Sequence, residues 1–367
     1  MKILHVINSL HTGGAEKLLL ETLPRYEKSG IELDLLVLNG EKTSFYESFS
    51  AEFSGTIYTL GFKTVYNPLH IIGVRKYLVK YDIVHVHLFP ALYWVAIASL
   101  FCLKSPKLVF TEHNITNRRF ESKWSKYIDK MIYSNYDTVI GITQDIVQLV
   151  ADRFDLHKKV VWIANGIDLQ KIKETKALSP QELAALCPST VTDKKILVQV
   201  SAFREQKDQL TLIQALNHLS ENVILILAGD GVLRESVIRA TEKLGLASRV
   251  FFIGNYDKVP SLLKSADIVV LSSKYEGMSL SSIEGMASGK PFVASDVPGL
   301  TEIVTGAGLL FEVGNHKELA TKINLLLTDT DYGASVANRC QARAAQYDIS
   351  TMIVKHIKLY QEVYAEK

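Results

Sequence analysis

Two carboxylates eight residues apart, Glu276 and Glu284, stand in the run Glu276-Gly277-Met278-Ser279-Leu280-Ser281-Ser282-Ile283-Glu284, which continues Gly285-Met286-Ala287-Ser288-Gly289-Lys290-Pro291. Inside one helix they would differ by about 80° in direction and ~12 Å in height, too far apart to address one ligand atom. Their surroundings place them otherwise. The apolar run 268–271 reads as a strand, Ser279 is a residue type that caps helix starts, and Gly289 and Pro291 end the helix. Glu276 then lies in the loop and Glu284 one turn into the helix, so the two bracket a ligand lying across the helix N-terminus. Backbone N–H groups of Gly277, Met278, Ser279 and Leu280 would point at anionic oxygens, and each carboxylate could hold sugar hydroxyls through charge-assisted hydrogen bonds. The same pattern also fits a surface helix with two solvated carboxylates.

A second cluster is Val198-Gln199-Val200-Ser201-Ala202-Phe203-Arg204-Glu205-Gln206-Lys207-Asp208, a strand opening into a loop that carries two cations, Arg204 and Lys207. Gly13-Gly14, between a first strand and a helix, removes side chains where a backbone could approach a ligand. His113 ends another apolar run, and His85 and His87 alternate on one strand and so share a face. Gly229-Asp230-Gly231 and Gly254-Asn255-Tyr256 follow further strands. Taken singly, each has an ordinary structural reading: exposed loop cations, turn glycines, a packed histidine.

These positions are set by short apolar runs alternating with stretches of helical period, the pattern of parallel sheets covered by helices on both faces. Strands are predicted at 3–7, 32–38, 57–60, 83–87, 108–111, 138–142 and 160–163. After a polar, Lys-rich stretch to Lys195 that holds Pro180 and Pro188, the series restarts at 196–200, 223–228, 250–253, 268–271, 292–294 and 308–311. At roughly 150 residues per domain, 367 residues imply two cores. The expected division is 1–168 and 169–345, with a terminal helix over 346–367 packing back on the first domain. Apolar residues make up 47% and charged residues 22%, which excludes collagen-like, mucin-like and disordered classes. A net charge of +2 creates no field that argues for nucleic acid. Three widely spaced cysteines, Cys102, Cys187 and Cys340, fit packing in a reducing compartment better than a disulfide framework. The N-terminal apolar run is too short for a signal peptide, so the expectation is a cytoplasmic protein.

The Glu-x7-Glu segment in its strand-loop-helix setting, followed by Gly-Met-Ala-Ser-Gly-Lys-Pro-Phe-Val-Ala-Ser, resembles the signature of the retaining glycosyltransferases of family 4. The likeness spans nearly the whole chain and is strongest from Val198 to Leu310. It implies an α/β protein of the GT-B fold: two doubly wound, Rossmann-like domains facing across a cleft, the first for acceptor and the second for a nucleotide-sugar donor. By resemblance Glu284 holds the ribose hydroxyls, while Glu276 and the amides after it position the transferred sugar. Lys207 and Arg204 face the leaving diphosphate, where cations stabilise charge that grows in the transition state. An Arg usual in the family five residues before the Lys is replaced here by Ala202; Arg204, two residues on, would point the same way from an extended backbone. Gly14 belongs to a loop against the donor diphosphate, His113 faces the sugar and acceptor pocket, Gly229 lies in a turn near the donor, and the base lies near Tyr256. No metal or other cofactor is expected.

Other classes fit less well. Gly229-x-Gly231 lacks a third glycine and no GxxxxGK[ST] occurs, which disfavours a dehydrogenase and a P-loop kinase. Asp329-Thr330-Asp331 falls between late helices and reads as a turn. A sugar-nucleotide epimerase of the same fold, or a non-catalytic nucleotide-sugar-binding component of an assembly complex, remains as an alternative. Residues 117–133 carry five basic and two acidic charges, with Phe120, Trp124, Tyr127, Ile128 and Met131 at helical spacing. That suits either a helix packed on its domain or one lying on an anionic membrane surface. The charge-free segment 88–103 is too short to span a bilayer and reads as a buried helix. For a lipid-linked acceptor these two segments would form the approach.

Overall fold

The computed structural model describes residues 1–11, 13–61, 64–113, 123–187 and 193–366. The chain forms two compact units: unit 1 is Met1–Gly166 with Ile349–Lys367, and unit 2 is Ile167–Asp348. The crossings fall two and three residues from the expected 168/169 and 345/346. Ile167 already belongs to unit 2, because its amide donates to the Tyr347 carbonyl at 2.9 Å and it pairs with Asp348 in a parallel bridge.

Unit 1 begins β1 (Lys2–Ile7), α1 (Gly14–Lys28), β2 (Glu32–Val37), α2 (Ser44–Glu52), β3 (Ile57–Thr59) and α3 (His70–Leu78). It continues β4 (Ile83–His87), α4 (Ala91–Ser99), β5 (Lys107–Glu112), α5 (Lys123–Ser134), β6 (Thr138–Gly141), α6 (Gln144–Phe154) and β7 (Val160–Trp162). Its sheet runs β3-β2-β1-β4-β5-β6-β7, every pair parallel.

Unit 2 holds α7 (Leu169–Glu174), α8 (Pro180–Leu186), β8 (Lys195–Val200), α9 (Gln209–Ala215), β9 (Val223–Ala228), α10 (Arg234–Lys243), β10 (Val250–Gly254) and α11 (Val259–Ser265). Then come β11 (Ile268–Leu271), α12 (Leu280–Ala287), β12 (Phe292–Ser295), α13 (Thr301–Val304), β13 (Leu309–Phe311), α14 (His316–Thr328) and α15 (Thr330–Ala344). The order β10-β9-β8-β11-β12-β13 is again wholly parallel. Strands such as Val223–Ala228 are buried along their whole length, as a sheet covered on both faces requires.

The last helix, α16 (Ile349–Ala365), returns to unit 1. Ile349, Met352, Ile353, Leu359, Tyr360 and Val363 enter the same apolar cluster as Ile3, Ile7, Leu19, Leu23 and Tyr26. In the 88–103 segment, α4 is buried through Ala91, Leu92, Val95 and Ala96, as expected of a core helix. The expectation fails beyond Ser99. There the chain turns through Leu100 N–H to Ile97 O, Phe101 N–H to Ala98 O and Cys102 N–H to Ser99 O, and it leaves Leu100, Phe101 and Leu103 exposed. Burial pushes the Cys187 thiol up to about 12 and the Cys340 thiol up to about 11, as befits packing residues. Asp329 caps α15 by accepting from the Tyr332 amide at 2.9 Å. Among the described residues no helix is long and apolar enough to cross a membrane.

Candidate functional site

In an open parallel sheet the loops at the carboxyl ends diverge where the strand order reverses, and ligands bind in the crevice left there. Unit 2 reverses between β8 and β11. Lys207 comes from the loop after β8 and Glu276 from the loop after β11, and the two meet there as an ion pair. The loops are stitched together by main chain: Asp208 N–H donates to Ser272 O at 3.1 Å and Lys274 N–H to Gln206 O at 2.8 Å, around an antiparallel bridge between Lys207 and Ser273.

Glu276 is buried, and both its oxygens are held. Oε1 accepts from Lys207 Nζ and from Ser273 Oγ at 2.6 Å, while Oε2 accepts from Gln206 Nε2 at 3.1 Å. Under this pair runs a polar network anchored on Gln199, which is fully buried. Its Oε1 accepts from the Ser272 amide (3.2 Å) and hydroxyl (2.8 Å), and its Nε2 donates to Ser201 Oγ at 2.9 Å. Gln209 Nε2 donates to Ser201 Oγ and to the Ala202 carbonyl, fixing the loop that carries Lys207. Buried polar groups that are fully paired hold one geometry. Nothing in the sequence marks Gln199, Ser273 or Gln209 as a site residue, and Gln206 is marked only by its place between Arg204 and Lys207.

Arg204 departs from expectation. Residues 202–207 turn rather than extend, with Arg204 N–H bonded to Ala202 O and Lys207 N–H to Arg204 O, so strand alternation does not relate positions 202 and 204. Arg204 is exposed. Ser279 also departs from expectation. It occupies the N-cap position of α12, but its side chain makes no cap hydrogen bond. Its carbonyl instead accepts from Ser282 Oγ at 2.7 Å and from the Ser282 amide at 3.1 Å.

Gly277, Met278, Ser279 and Leu280 follow Glu276 into α12, and Glu284 is half-buried on that helix. Gly299 (φ 83°) seals this loop from behind: a Cβ there would lie 2.0 Å from the Gly277 carbonyl oxygen. Gly229 (φ 134°) leads the turn after β9, where a Cβ would meet Ser201 O at 2.2 Å, and its amide donates to Gly254 O at 2.7 Å. The turns after β8, β9 and β10 are therefore laced together, and half-buried Tyr256 stands in the last of them.

Gly14 and His113 belong to unit 1, whose strand order reverses between β1 and β4. Gly14 opens α1, and a Cβ built there has no atom within 4 Å, so the unit's own packing does not demand glycine. His113 follows β5; its Nε2 is buried without a hydrogen-bond partner, and desolvation lowers its pKa to about 4. It borders a cavity of about 20 Å³ shared with His5, His85, His87, Thr111 and His356.

Strand alternation predicts the shared face of His85 and His87 but not this cluster. His5 Nδ1 and His87 Nε2 share a hydrogen bond of 3.1 Å, and His85 bonds Tyr360 OH at 2.6 Å and Thr111 Oγ1 at 2.7 Å. Tyr26 OH bonds His356 Nδ1. His5, His85 and His87 bring ring nitrogens within 4.8 Å of one another, a spacing that could hold a metal ion, although both His85 nitrogens are engaged by Thr111 and Tyr360. The part of the basic segment at 114–122, and Pro188, lie outside the described residues.

Two wholly parallel sheets of this topology are those of GT-B proteins, and the family matches give the class, a glycosyltransferase. Residues 12–171 match Glycosyltransferase Family 4 and residues 188–346 match Glycosyl transferases group 1. The chain belongs to glycosyltransferase family 4. It is 26% identical over 323 residues to EpsF of Bacillus subtilis (strain 168), by name a glycosyltransferase, covering 84% of this chain and 82% of that one. N-acetylgalactosamine-N,N'-diacetylbacillosaminyl-diphospho-undecaprenol 4-alpha-N-acetylgalactosaminyltransferase of Campylobacter jejuni is 24% identical over 248 residues, 66% of this chain and 64% of its own. Among solved structures, HepE of Anabaena in complex with UDP superposes with a TM-score of 0.84 at 25% identity, covering 99% of this chain and all of the other.

Proposed function

We propose that the chain moves a hexose-type sugar from a nucleoside diphosphate sugar, with UDP or GDP as leaving group, to a hydroxyl of a glycan or lipid-linked acceptor. The anomeric configuration is retained, and the product belongs to a cell-surface polysaccharide or glycoconjugate. The carrying observation is the Lys207–Glu276 pair at the strand-order reversal of unit 2, followed directly by a helix start without a side-chain cap. The crystallisation of the Anabaena protein with UDP and the diphospho-undecaprenol acceptor in the Campylobacter protein's name support the donor and acceptor classes.

In this reading the bond from the anomeric carbon to the β-phosphate oxygen breaks while the acceptor oxygen bonds that carbon on the same face. The acceptor's proton passes to the leaving phosphate, so no carboxylate nucleophile is required. Lys207 turns from Glu276 toward the diphosphate, aided by Arg204 and by amides from Gly277 to Leu280, and charge that grows in the transition state is stabilised by fixed groups. Glu276, still held by Ser273 and Gln206, accepts from sugar hydroxyls, and Glu284 from the ribose. Gly229 keeps the β9 turn close beneath the donor and Tyr256 borders the base. On unit 1 the family resemblance assigns Gly14 to phosphate and His113 to sugar, which suits the open space beside Gly14 and the unpartnered Nε2 of His113. Charge neutralisation rests on side chains and amides, so the reaction needs no metal and proceeds in chelator.

A thermal-shift panel of nucleotide sugars, followed by transfer assays, tests this. UDP or GDP sugars should raise the melting temperature, and Lys207→Ala and Glu284→Ala should each weaken that binding by tenfold or more. Unchanged affinity in both variants overturns the placement. Conversion of donor without acceptor would instead indicate an epimerase.

A further inference from the structure

Twenty large apolar side chains are exposed among the described residues, and ten of them fall between Tyr66 and Met131, in three neighbouring elements of unit 1. On α3 the buried residues His70, Val74 and Leu78 form the inner face. Ile72 and Val79, seven residues apart and so on one outer stripe, are 62% and 55% exposed, and Leu69 extends the stripe at the helix start. A helix of a soluble domain ordinarily turns polar residues to that face.

Between α3 and α5 lies α4, which packs on both and has little exposed surface of its own. The turn that ends it presents Leu100, Phe101 and Leu103, the last wholly exposed. On α5, Asp129, Ile132 and Tyr133 are buried, and Tyr127, Ile128 and Met131 look outward. Scattered exposed apolar residues need no account, but a concentration of this size marks a surface that meets something.

The charges on this face identify its chemistry. Residues 64–107 hold five cations and one acid, Asp82. Arg75, Lys76 and Lys80 flank the outer stripe of α3, and Lys104 follows the α4 turn, all exposed. On α5, Lys126 and Lys130 are exposed beside Tyr127 and Met131. The acids carried by these elements are withdrawn, Asp82 half-buried and accepting from the Lys2 amide at 3.0 Å and Asp129 0% exposed, whereas Asp155, from the end of α6, is exposed and pairs with Lys130. Exposed apolar residues interleaved with cations that outnumber the acids beside them, exposed Asp155 at 3.8 Å from Lys130 Nζ among these, complement a surface of acyl chains under anionic headgroups.

We infer that the outer face of α3, the turn after α4 and the outer face of α5 form a docking surface for an anionic phospholipid bilayer. This extends the proposed function by assigning where the enzyme meets the membrane that would carry a lipid-linked acceptor. The surface is wider than the approach expected from sequence, residues 117–133 with 88–103, since it includes α3. Docking is peripheral: the apolar side chains enter the headgroup boundary, the lysines neutralise lipid charge, and raised salt weakens the attachment.

Flotation of the full-length protein with vesicles of pure phosphatidylcholine, and of phosphatidylcholine mixed with phosphatidylglycerol, tests the inference. Binding is expected only to the phosphatidylglycerol vesicles and should fall as salt rises. Lys76→Glu with Lys80→Glu should lower partitioning by tenfold or more, and so should Ile72→Ser with Leu103→Ser. All four side chains are exposed, so melting temperatures stay unchanged. Equal binding to both vesicle types, or variants that partition like the parent, would overturn the proposal. Light scattering that shows a dimer, lost in the Ser variant without any vesicle binding, would assign the face to a second copy and also overturn it. The donor reading is checked separately: protein that binds UDP but no vesicle sinks this inference alone, and protein that binds vesicles but no nucleotide sinks the donor reading alone.

Discussion

Gly14 and Gly299 are both glycines beside candidate ligand-binding backbone, yet the structure gives them opposite reasons for being there. At Gly299 the fold itself requires glycine, through φ 83° and a Gly277 carbonyl that would meet a Cβ at 2.0 Å. At Gly14 the fold leaves the space open. Gly14→Ala should therefore leave stability unchanged or raise it by up to ~1 kcal/mol, because alanine narrows the unfolded ensemble. It should nonetheless cut transfer by tenfold or more if a phosphate packs on that backbone. Gly299→Ala should cost about 2–4 kcal/mol and disturb the loop of Glu276. Urea unfolding and transfer rates on the two variants separate these effects; a Gly14→Ala enzyme with full activity removes Gly14 from the site. At this scale the sequence shows residue type and place. Lys207 and Glu276 are legible because each follows an apolar run, but their contact is not, since it depends on β8 and β11 being neighbours and joins residues 69 apart in sequence. Gln199 and Ser273 escape notice because their importance lies in hydrogen bonds that only the folded loops create.

The elements were the more legible part, since buried parallel strands are almost continuous apolar runs whose ends the turn residues mark. What the pattern does not reveal is how a helix end is satisfied. Thr143 and Ser279 look equivalent as caps, but only Thr143 acts as one, accepting from the Ile146 amide at 3.2 Å. Thr143→Ala should therefore cost ~1 kcal/mol, the usual loss for a cap. Ser279→Ala should cost less than about 0.5 kcal/mol, because no side-chain bond is lost. Ser279→Asp reverses the balance: a carboxylate could cap α12 and favour its dipole, while its charge would repel a diphosphate and weaken nucleotide binding. Chemical denaturation paired with nucleotide titration checks both signs. Equal losses for Thr143→Ala and Ser279→Ala would show that the start of α12 is capped after all.

At the scale of the molecule, the chain closes by bringing its last helix onto its first strand, and the contact is made by histidines. His356 and Tyr360 of α16 meet Tyr26, His85 and, through ring contacts, His5. The sequence predicts the returning helix but not these contacts, because His356 occupies an apolar position of a helical stripe, and Tyr26 and His85 lie more than 250 residues away. Burial lowers His5 and His356 to about 3 and His113 to about 4, and it holds His85 and His87 well below their usual range. The sign of the pH effect follows. Above pH 7 the imidazoles are neutral folded or unfolded, and they impose no penalty. Below the ordinary value of about 6.5 the unfolded chain takes up protons that the folded cluster refuses, so unfolding gains about 1.4 kcal/mol per pH unit for each such group. Several such groups act in the same direction, so stability falls steeply as pH drops below about 6.5. All three tryptophans, Trp94, Trp124 and Trp162, fall in the unit 1 portion of the sequence, so intrinsic fluorescence follows this unit. Its melting temperature should be level above pH 7 and drop steeply between pH 6.5 and 5, and a profile that stays flat to pH 5 would mean that the cluster accepts protons without opening.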